Sequence, residues 1–98
     1  QYKKYYKMEP TSYFIHEHIS RCYRELKEYD KAEEEILYGL KYRPFNPSNC
    51  YEAALVYFAM GREKEAMEYL QRAVEIWQDA DPGYEKANEA KALLARYG

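Results

Sequence analysis

A repeat of 34 residues runs through this chain of 98 residues and constrains its fold more than any other feature. Pro10 and Pro44 are separated by this distance, and Tyr23 and Tyr57 repeat it. The same offset aligns six further pairs: His16 with Cys50, Ile19 with Ala53, Ser20 with Ala54, Ala32 with Ala66, Ile36 with Leu70 and Gly39 with Ala73. A fixed period of this length predicts a solenoid of stacked repeats, which presents a surface for other molecules.

The charge balance argues against two classes of partner. The chain has 15 basic and 17 acidic residues, and its net charge is −2. Because nucleic acids and anionic membranes attract proteins through a basic surface, we expect neither as a partner. No apolar run approaches the roughly 18 residues that a membrane span needs. The start lacks the apolar stretch of a signal peptide. Since the sequence does not begin with Met, we expect it to be a piece of a longer chain.

The two cysteines are predicted to be buried free thiols. By the repeat, Cys22 corresponds to Val56, which is six residues beyond Cys50. Six residues correspond to about 9 Å along a helix, whereas disulfides require Cα atoms closer than about 7 Å. Free thiols favour a reducing compartment, so a cytoplasmic location is favoured although the compartment stays open.

Hydrophobic periodicity predicts an all-α chain. Apolar residues recur at helical spacing, and no stretch alternates apolar and polar residues as a strand would. Prolines and Gly61 mark helix ends, and Asn46-Pro47 and Asp81-Pro82 mark helix starts. The expected helices cover residues 2–8, 12–27, 30–42, 47–60, 63–79 and 82–96.

The small residues of the repeat allow antiparallel helices to approach closely, and the larger residues fill the spaces between them. The second repeat reads Cys50-x₂-Ala53-Ala54-x₂-Tyr57 and then Ala66-x₃-Leu70-x₂-Ala73. This pattern resembles the tetratricopeptide repeat, W-x₂-L-G-x₂-Y followed by A-x₃-F and P. The chain departs from the motif in three ways: neither repeat opens with Trp, no Gly stands at Ser20 or Ala54, and Gln78 replaces the second proline.

The resemblance implies an α-solenoid of antiparallel helix pairs in a right-handed superhelix. Pro44 and Pro82 are 38 residues apart, four more than the period, so we expect the outer helix of the second repeat to be one turn longer. The ending 76–82 is similar to one common in bacterial arrays, which suggests the C-terminal fragment of such an array. The expected parts are residues 1–10 (end of an upstream repeat helix), 13–46 (repeat one), 47–80 (repeat two) and 81–98 (capping helix with Tyr84 and Tyr97 facing inward).

The resemblance also implies a function in protein–protein interaction. In this family the first helix of each pair lines a concave groove, where peptides commonly bind. The residues placed there by register are Phe14, Glu17, Arg21, Arg24, Tyr51, Glu52, Leu55 and Phe58. Tyr51, Leu55 and Phe58 form an apolar stripe, which either contacts neighbouring first helices or anchors a peptide or partner helix.

The acidic character of this face predicts the chemistry of the partner. Glu85 and Glu89 of the last helix would join Glu17 beside Arg21 and Arg24. The clamp by which some family members hold a C-terminal carboxylate is therefore not expected. We expect a neutral or basic protein or peptide with apolar anchors.

No group of residues in the sequence predicts catalysis. His16 and His18 are two apart on a helix, so they point to nearly opposite sides and cannot hold one metal ion. Because there is no phosphate-binding glycine loop and no nucleophile motif, we expect no enzyme activity, cofactor or metal. The alternative function is a structural or oligomerisation element that packs against itself or another domain. Self-association would use the N-terminal end, through Tyr2, Tyr5 and Tyr6.

Overall fold

The structure is a computed structural model that describes residues 14–79 and 83–97. Within these ranges the chain forms five α-helices and no strand, which confirms the all-α helical-repeat prediction. The helices are α1 (Phe14–Glu25), α2 (Tyr29–Tyr42), α3 (Pro47–Ala59), α4 (Glu63–Ile76) and α5 (Glu85–Tyr97). The helix predicted over residues 2–8 and the start predicted at Asp81-Pro82 lie outside the described residues.

The end of the second repeat differs from the predicted long helix. Instead of continuing to Asp79, α4 ends at Ile76, and residues Trp77–Asp79 form a tighter 3₁₀ helix. The backbone N–H of Trp77 still donates to the carbonyl of Ala73, so the chain stays hydrogen-bonded through the change. At the start of α3 the prediction is accurate, because the Asn46 side chain accepts from the backbone N–H of Asn49 at 3.1 Å.

The repeat is visible in the backbone as well as in the sequence. Lys27, between α1 and α2, has φ +64°, and Gly61, between α3 and α4, has φ +78°. These residues are 34 positions apart, and each ends a helix in the left-handed region. The amide of the next residue closes each turn on a tyrosine carbonyl at 2.9 Å: Glu28 N–H on Tyr23 O, and Arg62 N–H on Tyr57 O.

This equivalence predicts that Lys27→Gly stabilises the protein. A side chain in the left-handed region destabilises the folded state by about 1–2 kcal/mol. Glycine removes this strain, but its greater backbone freedom in the unfolded chain offsets about half of the gain. The free energy of unfolding should therefore rise by about 0.5–1 kcal/mol in urea titrations. Gly61→Ala is the matched reverse change, because nothing lies within 4 Å of a Cβ added there. It should destabilise, and equal stability of Lys27→Gly and the wild type would contradict the argument.

The core lies between the helices at the positions that the repeat predicts. Ile36 and Leu70 are fully buried, and they are accompanied by the small residues Ala32, Ala54, Ala66 and Ala73. A Cβ added at Gly39 would lie 2.9 Å from the Cβ of His16, so α1 and α2 approach more closely than most side chains permit. The Ser20 hydroxyl donates to the carbonyl of Ala32 at 2.9 Å.

One side of α1 is more exposed than predicted. Cys50 is buried as expected, but Cys22 is exposed, which corrects the prediction of two buried thiols. Both cysteines are free. Leu26, which directly follows α1, is 67% exposed. The described helices therefore bury one side of α1 and leave the side of Cys22 exposed.

Candidate functional site: the face shared by α1, α3 and α5

Charged and aromatic side chains of the three first helices contact one another across the array. We call this surface the first-helix face and define it by residues Glu17, Arg24, Tyr51, Glu52, Lys86 and Glu89. Helix α3 supplies partners to both of the others, since Glu52 contacts α1 and Tyr51 contacts α5. The face therefore joins residues that are far apart in the sequence.

Arg24 and Glu52 form a bidentate ion pair between α1 and α3. The Arg24 Nε donates to Glu52 Oε2 at 2.8 Å, and Nη2 donates to Oε1 at 3.1 Å. Glu52 is only 3% exposed, and this burial raises the pKa of its carboxyl, although Arg24 opposes the shift. A guanidinium that satisfies both carboxylate oxygens suits such a site. Both oxygens of Glu52 are thus engaged within the protein.

Lys86 and Glu17 connect the last and the first of the described helices. The Lys86 Nζ donates to Glu17 Oε2 at 2.7 Å. The Glu17 side chain is mostly covered, whereas a third of the Lys86 side chain is exposed. The Arg24–Glu52 ion pair has two hydrogen bonds. The Lys86–Glu17 contact has a single one, and solvent can reach its flexible lysine side chain.

Tyr51 lies in an aromatic cluster instead of facing an open groove. It is 8% exposed, and its ring packs edge-on against Trp77 with centroids 5.9 Å apart. Trp77 packs in turn against Tyr84 at 5.6 Å. The Tyr51 hydroxyl donates to Glu89 Oε1 at 3.4 Å, and burial raises the pKa of Tyr51. Tyr51 therefore helps to hold the C-terminal part of the chain against α3.

The other two members of the predicted stripe are half-buried. Phe58 stacks on Tyr97 of α5 with centroids 4.5 Å apart, and Leu55 packs against the buried core. Tyr84 and Tyr97 are predicted to face inward, but both are partly exposed: Tyr97 stacks on Phe58, and Tyr84 packs edge-on against Trp77. Two interpretations of the stripe were open. Contact within the array explains the burial of Tyr51 and the partial burial of Phe58.

The predicted site residues thus differ in how far the structure buries them. Tyr51 and Glu52 are buried, and they contact Glu89 of α5 and Arg24 of α1, respectively. Arg21 is exposed, and its Nη2 lies 3.3 Å from the Nδ1 of His18. Phe14 begins α1, and its side chain is not described. The sequence register places Lys86 and Glu89 on this face, but no sequence signal gives their partners.

The described residues supply no metal-binding cluster. No group of three His, Cys, Asp or Glu side chains among them could hold a metal ion. His16 is buried against Glu35, with its Nδ1 3.0 Å from Glu35 Oε1, whereas His18 lies at the surface. None of the helices in residues 14–79 and 83–97 is long and apolar enough to cross a membrane.

Comparison with known proteins identifies the repeat. Residues 47–77, which form α3, α4 and the start of the 3₁₀ helix, match the family model described as tetratricopeptide repeat. Neither the curated proteins nor the solved structures yield a match to this chain. The matched segment belongs to the second predicted repeat, and α1 and α2 reproduce its turn and its buried small residues 34 positions earlier. The family match thus supports the assignment of residues 47–77 as a tetratricopeptide repeat, as the sequence pattern predicts.

Proposed function

We propose that this chain is an interaction module whose first-helix face binds a basic peptide or partner helix. Tetratricopeptide repeats generally mediate protein–protein interaction, and the family is typically a non-enzymatic scaffold. The observation that supports the finer proposal is the Glu17–Lys86 contact, in which a lysine already occupies a largely covered carboxylate of this face.

The two carboxylates of α1 and α3 differ in how easily a ligand could reach them. Glu52 is held through both oxygens by Arg24, so a ligand would have to break two hydrogen bonds at a buried site. Glu17 is held by one lysine, and ion pairs that solvent reaches contribute only about 0–1 kcal/mol. A lysine or arginine of a partner could therefore take the place of Lys86 at small cost.

Apolar contacts of the partner would be made beside this cationic position. Leu55 and Phe58 remain half-buried, and Tyr97 is partly exposed next to Phe58. Aromatic side chains of this kind often anchor a partner, because their rings bury a large area at low entropic cost. A ligand with one cationic residue and neighbouring apolar residues fits both features. The predicted preference for a neutral or basic partner is thus narrowed to a basic one.

Peptide titration would test the proposal. Two amphipathic peptides with the same apolar residues, one rich in lysine and one rich in glutamate, would be titrated calorimetrically. We expect the basic peptide to bind more tightly and Glu17→Gln to weaken its binding about two- to fivefold, since an ion pair of this kind contributes up to about 1 kcal/mol and each tenfold change corresponds to about 1.4 kcal/mol. Equal or stronger binding of the acidic peptide would contradict the proposal.

Lys86 provides a second readout in the same assay. Lys86→Met keeps the length of the side chain but removes its charge, so the basic peptide no longer competes with an internal lysine for Glu17. Its affinity should rise about two- to fivefold, which is the range expected for one solvent-accessible ion pair. Lys64→Met is the matched control, because Lys64 lies exposed on α4. Equal effects of the two changes would mean only a general charge effect and would contradict a role of Lys86.

The alternative function, a structural or oligomerisation element, is favoured by a different surface. The open side of α1 carries Cys22, and the exposed Leu26 follows the end of this helix; exposed apolar side chains are a common site of association. If a second copy of the chain covers this side, the protein self-associates. If another part of the same chain covers it, the surface is not available for association.

A further inference from the structure

Three aromatic side chains lie exposed where α2 ends and the chain turns into α3. Tyr38 is 49% exposed, Tyr42 is 61% exposed and Phe45 is 74% exposed. Tyr38 and Tyr42 lie one turn apart on the same side of α2, and Phe45 follows in the connection. We call these three residues the aromatic corner. They lie on the second helix of a pair and beyond its end, so they are separate from the first-helix face.

The repeat does not require aromatic residues at these positions. In the second repeat, 34 residues later, the corresponding residues are Arg72, Ile76 and Asp79. Helices α3 and α4 pack against each other with charged residues at two of these three places. Helix packing within the repeat therefore does not explain the aromatic corner. Exposed apolar side chains that are grouped in this way often mark an interaction site.

The connection between α2 and α3 holds Phe45 in place. The backbone N–H of Asn46 donates to the carbonyl of Arg43 at 3.1 Å, which closes a turn with Pro44 at the position that such turns favour. The N–H of Arg43 donates to the carbonyl of Gly39 in α2, and the side chain of Asn46 caps α3. Both ends of the turn are thus tied to helices. A side chain that is positioned before binding loses little entropy when a partner arrives.

The two tyrosines of the corner are also supported from below. The Tyr38 ring stacks on the buried His16 with centroids 5.0 Å apart, and Tyr42 lies 5.5 Å from Tyr38. Beside them is an open depression of about 390 Å³, and its lining residues are Tyr42, Arg43, Pro44, Phe45 and Asn46. Sites for small ligands have volumes of about 300–1,000 Å³, so the depression can accept a large side chain of a partner.

The charges near the corner indicate which partner it fits. Residues 36–51 contain Lys41 and Arg43 but no Asp or Glu, although the net charge of the chain is −2. The acidic residues on either side of this stretch, Glu35 and Glu52, contact side chains of α1. Lys41 and Arg43 are exposed. An acidic segment would therefore be attracted to the corner, whereas a basic one would be repelled.

We propose that the aromatic corner binds an acidic protein segment, which places an aromatic or large apolar side chain against Tyr42 and Phe45. Anionic membranes are bound through clusters of about four to eight basic residues, and DNA through about six to ten phosphate contacts. Two cations beside a depression fit a protein segment better than either. This site is independent of the first-helix face and has the opposite charge preference, so the chain would join a basic partner to an acidic one.

Titration of the labelled protein with two short peptides, followed by NMR, would test the proposal. Both peptides have a central phenylalanine, which is flanked by glutamates in one and by lysines in the other. We expect the glutamate peptide to shift the amide signals of residues 38–46, and the lysine peptide to bind there at least about fivefold more weakly. Signals of residues 17–24 and 51–58 report on the first-helix face, so the two proposals succeed or fail separately.

Two substitutions with matched controls identify the residues that bind. Phe45→Ala should weaken binding of the glutamate peptide at least about fivefold, because it removes the most exposed ring of the corner. Leu26→Ala, at the other exposed apolar residue of an interhelical turn, should leave the affinity unchanged. Lys41→Met should weaken binding up to about fivefold, and Lys64→Met, on the exposed side of α4, should not.

Three results would overturn the proposal. The first is equal binding of both peptides at residues 38–46, or shifts of the glutamate peptide that are confined to the first-helix face. The second is sedimentation of the protein with phosphatidylcholine–phosphatidylserine vesicles that Phe45→Ala abolishes, which would assign the corner to a membrane surface. The third is a shift of the same signals with protein concentration alone, which would assign it to a second copy of the chain.

Discussion

Arg24→Met should lower the free energy of unfolding by about 3 kcal/mol, since removal of one partner leaves a buried charge without compensation. Glu52 is almost completely covered, and Arg24 supplies hydrogen bonds to both of its oxygens. Methionine retains much of the volume of the arginine stem, so the loss reports on charge and hydrogen bonding more than on packing. Urea titration monitored by circular dichroism would measure the effect.

The deficit of Arg24→Met should depend on pH. Burial already raises the pKa of Glu52 above its ordinary value, and Arg24 is the main opposing group. Without Arg24 the pKa of Glu52 in the folded state rises further. A carboxyl with a raised pKa favours the folded state while it is protonated and loses this contribution as the pH rises through the folded-state pKa. The stability difference from the wild type should therefore be largest at pH 7–8 and should decrease toward pH 5 as Glu52 is protonated.

A second substitution separates the charge from other effects. Arg24→Met/Glu52→Gln removes both charges, so the variant should recover part of the lost stability at pH 7 and lose the pH dependence of the difference. A deficit that persists unchanged in the double variant would show that packing of the arginine stem, and not the unpaired carboxylate, accounts for the effect.

The repeat makes some features of this fold predictable from sequence and leaves others open. Ala32, Ala66 and Ala73 are buried as the period requires, because close approach of two helices determines the side-chain volume at these positions. The turn at Lys27 follows the same repeat, although a lysine there gives no local signal of a left-handed residue. Features determined by helix packing thus follow from the pattern.

The first-helix face was less predictable. The register brings Glu17, Arg24 and Glu52 to one surface, but a charged residue at such a position is compatible with either solvent or a partner. Whether such a residue contacts solvent or a partner side chain depends on how closely neighbouring helices approach. This distance is a property of the tertiary structure. Tyr51 illustrates the point, since its burial depends on Trp77 and on Glu89, 38 residues along the chain.

The position of Cys22 was mispredicted for a related reason. Periodicity assigns it to an apolar side of α1, and the assignment agrees with the buried equivalent Val56. Whether that side is covered depends on what else packs against α1. The sequence therefore identifies which side of the helix is apolar, while burial requires knowledge of what packs against it.

Leu70→Ala tests the repeat at the centre of the core and should destabilise the protein by about 2–5 kcal/mol through lost burial and a residual cavity. Leu70 is fully buried and corresponds to the fully buried Ile36, so each repeat depends on one large residue between its small ones. Leu37→Ala is the control, because it deletes the same atoms from a side chain that is 39% exposed.

We expect Leu37→Ala to cost clearly less than Leu70→Ala in thermal and urea unfolding, because its truncation leaves a gap that solvent can fill. Since small domains have total stabilities of about 5–15 kcal/mol, Leu70→Ala can leave an appreciable fraction of the protein unfolded at 37 °C. If Leu37→Ala costs as much, exposure does not determine the contribution of these leucines. The 34-residue period would then describe the sequence without identifying the residues that hold the repeats together.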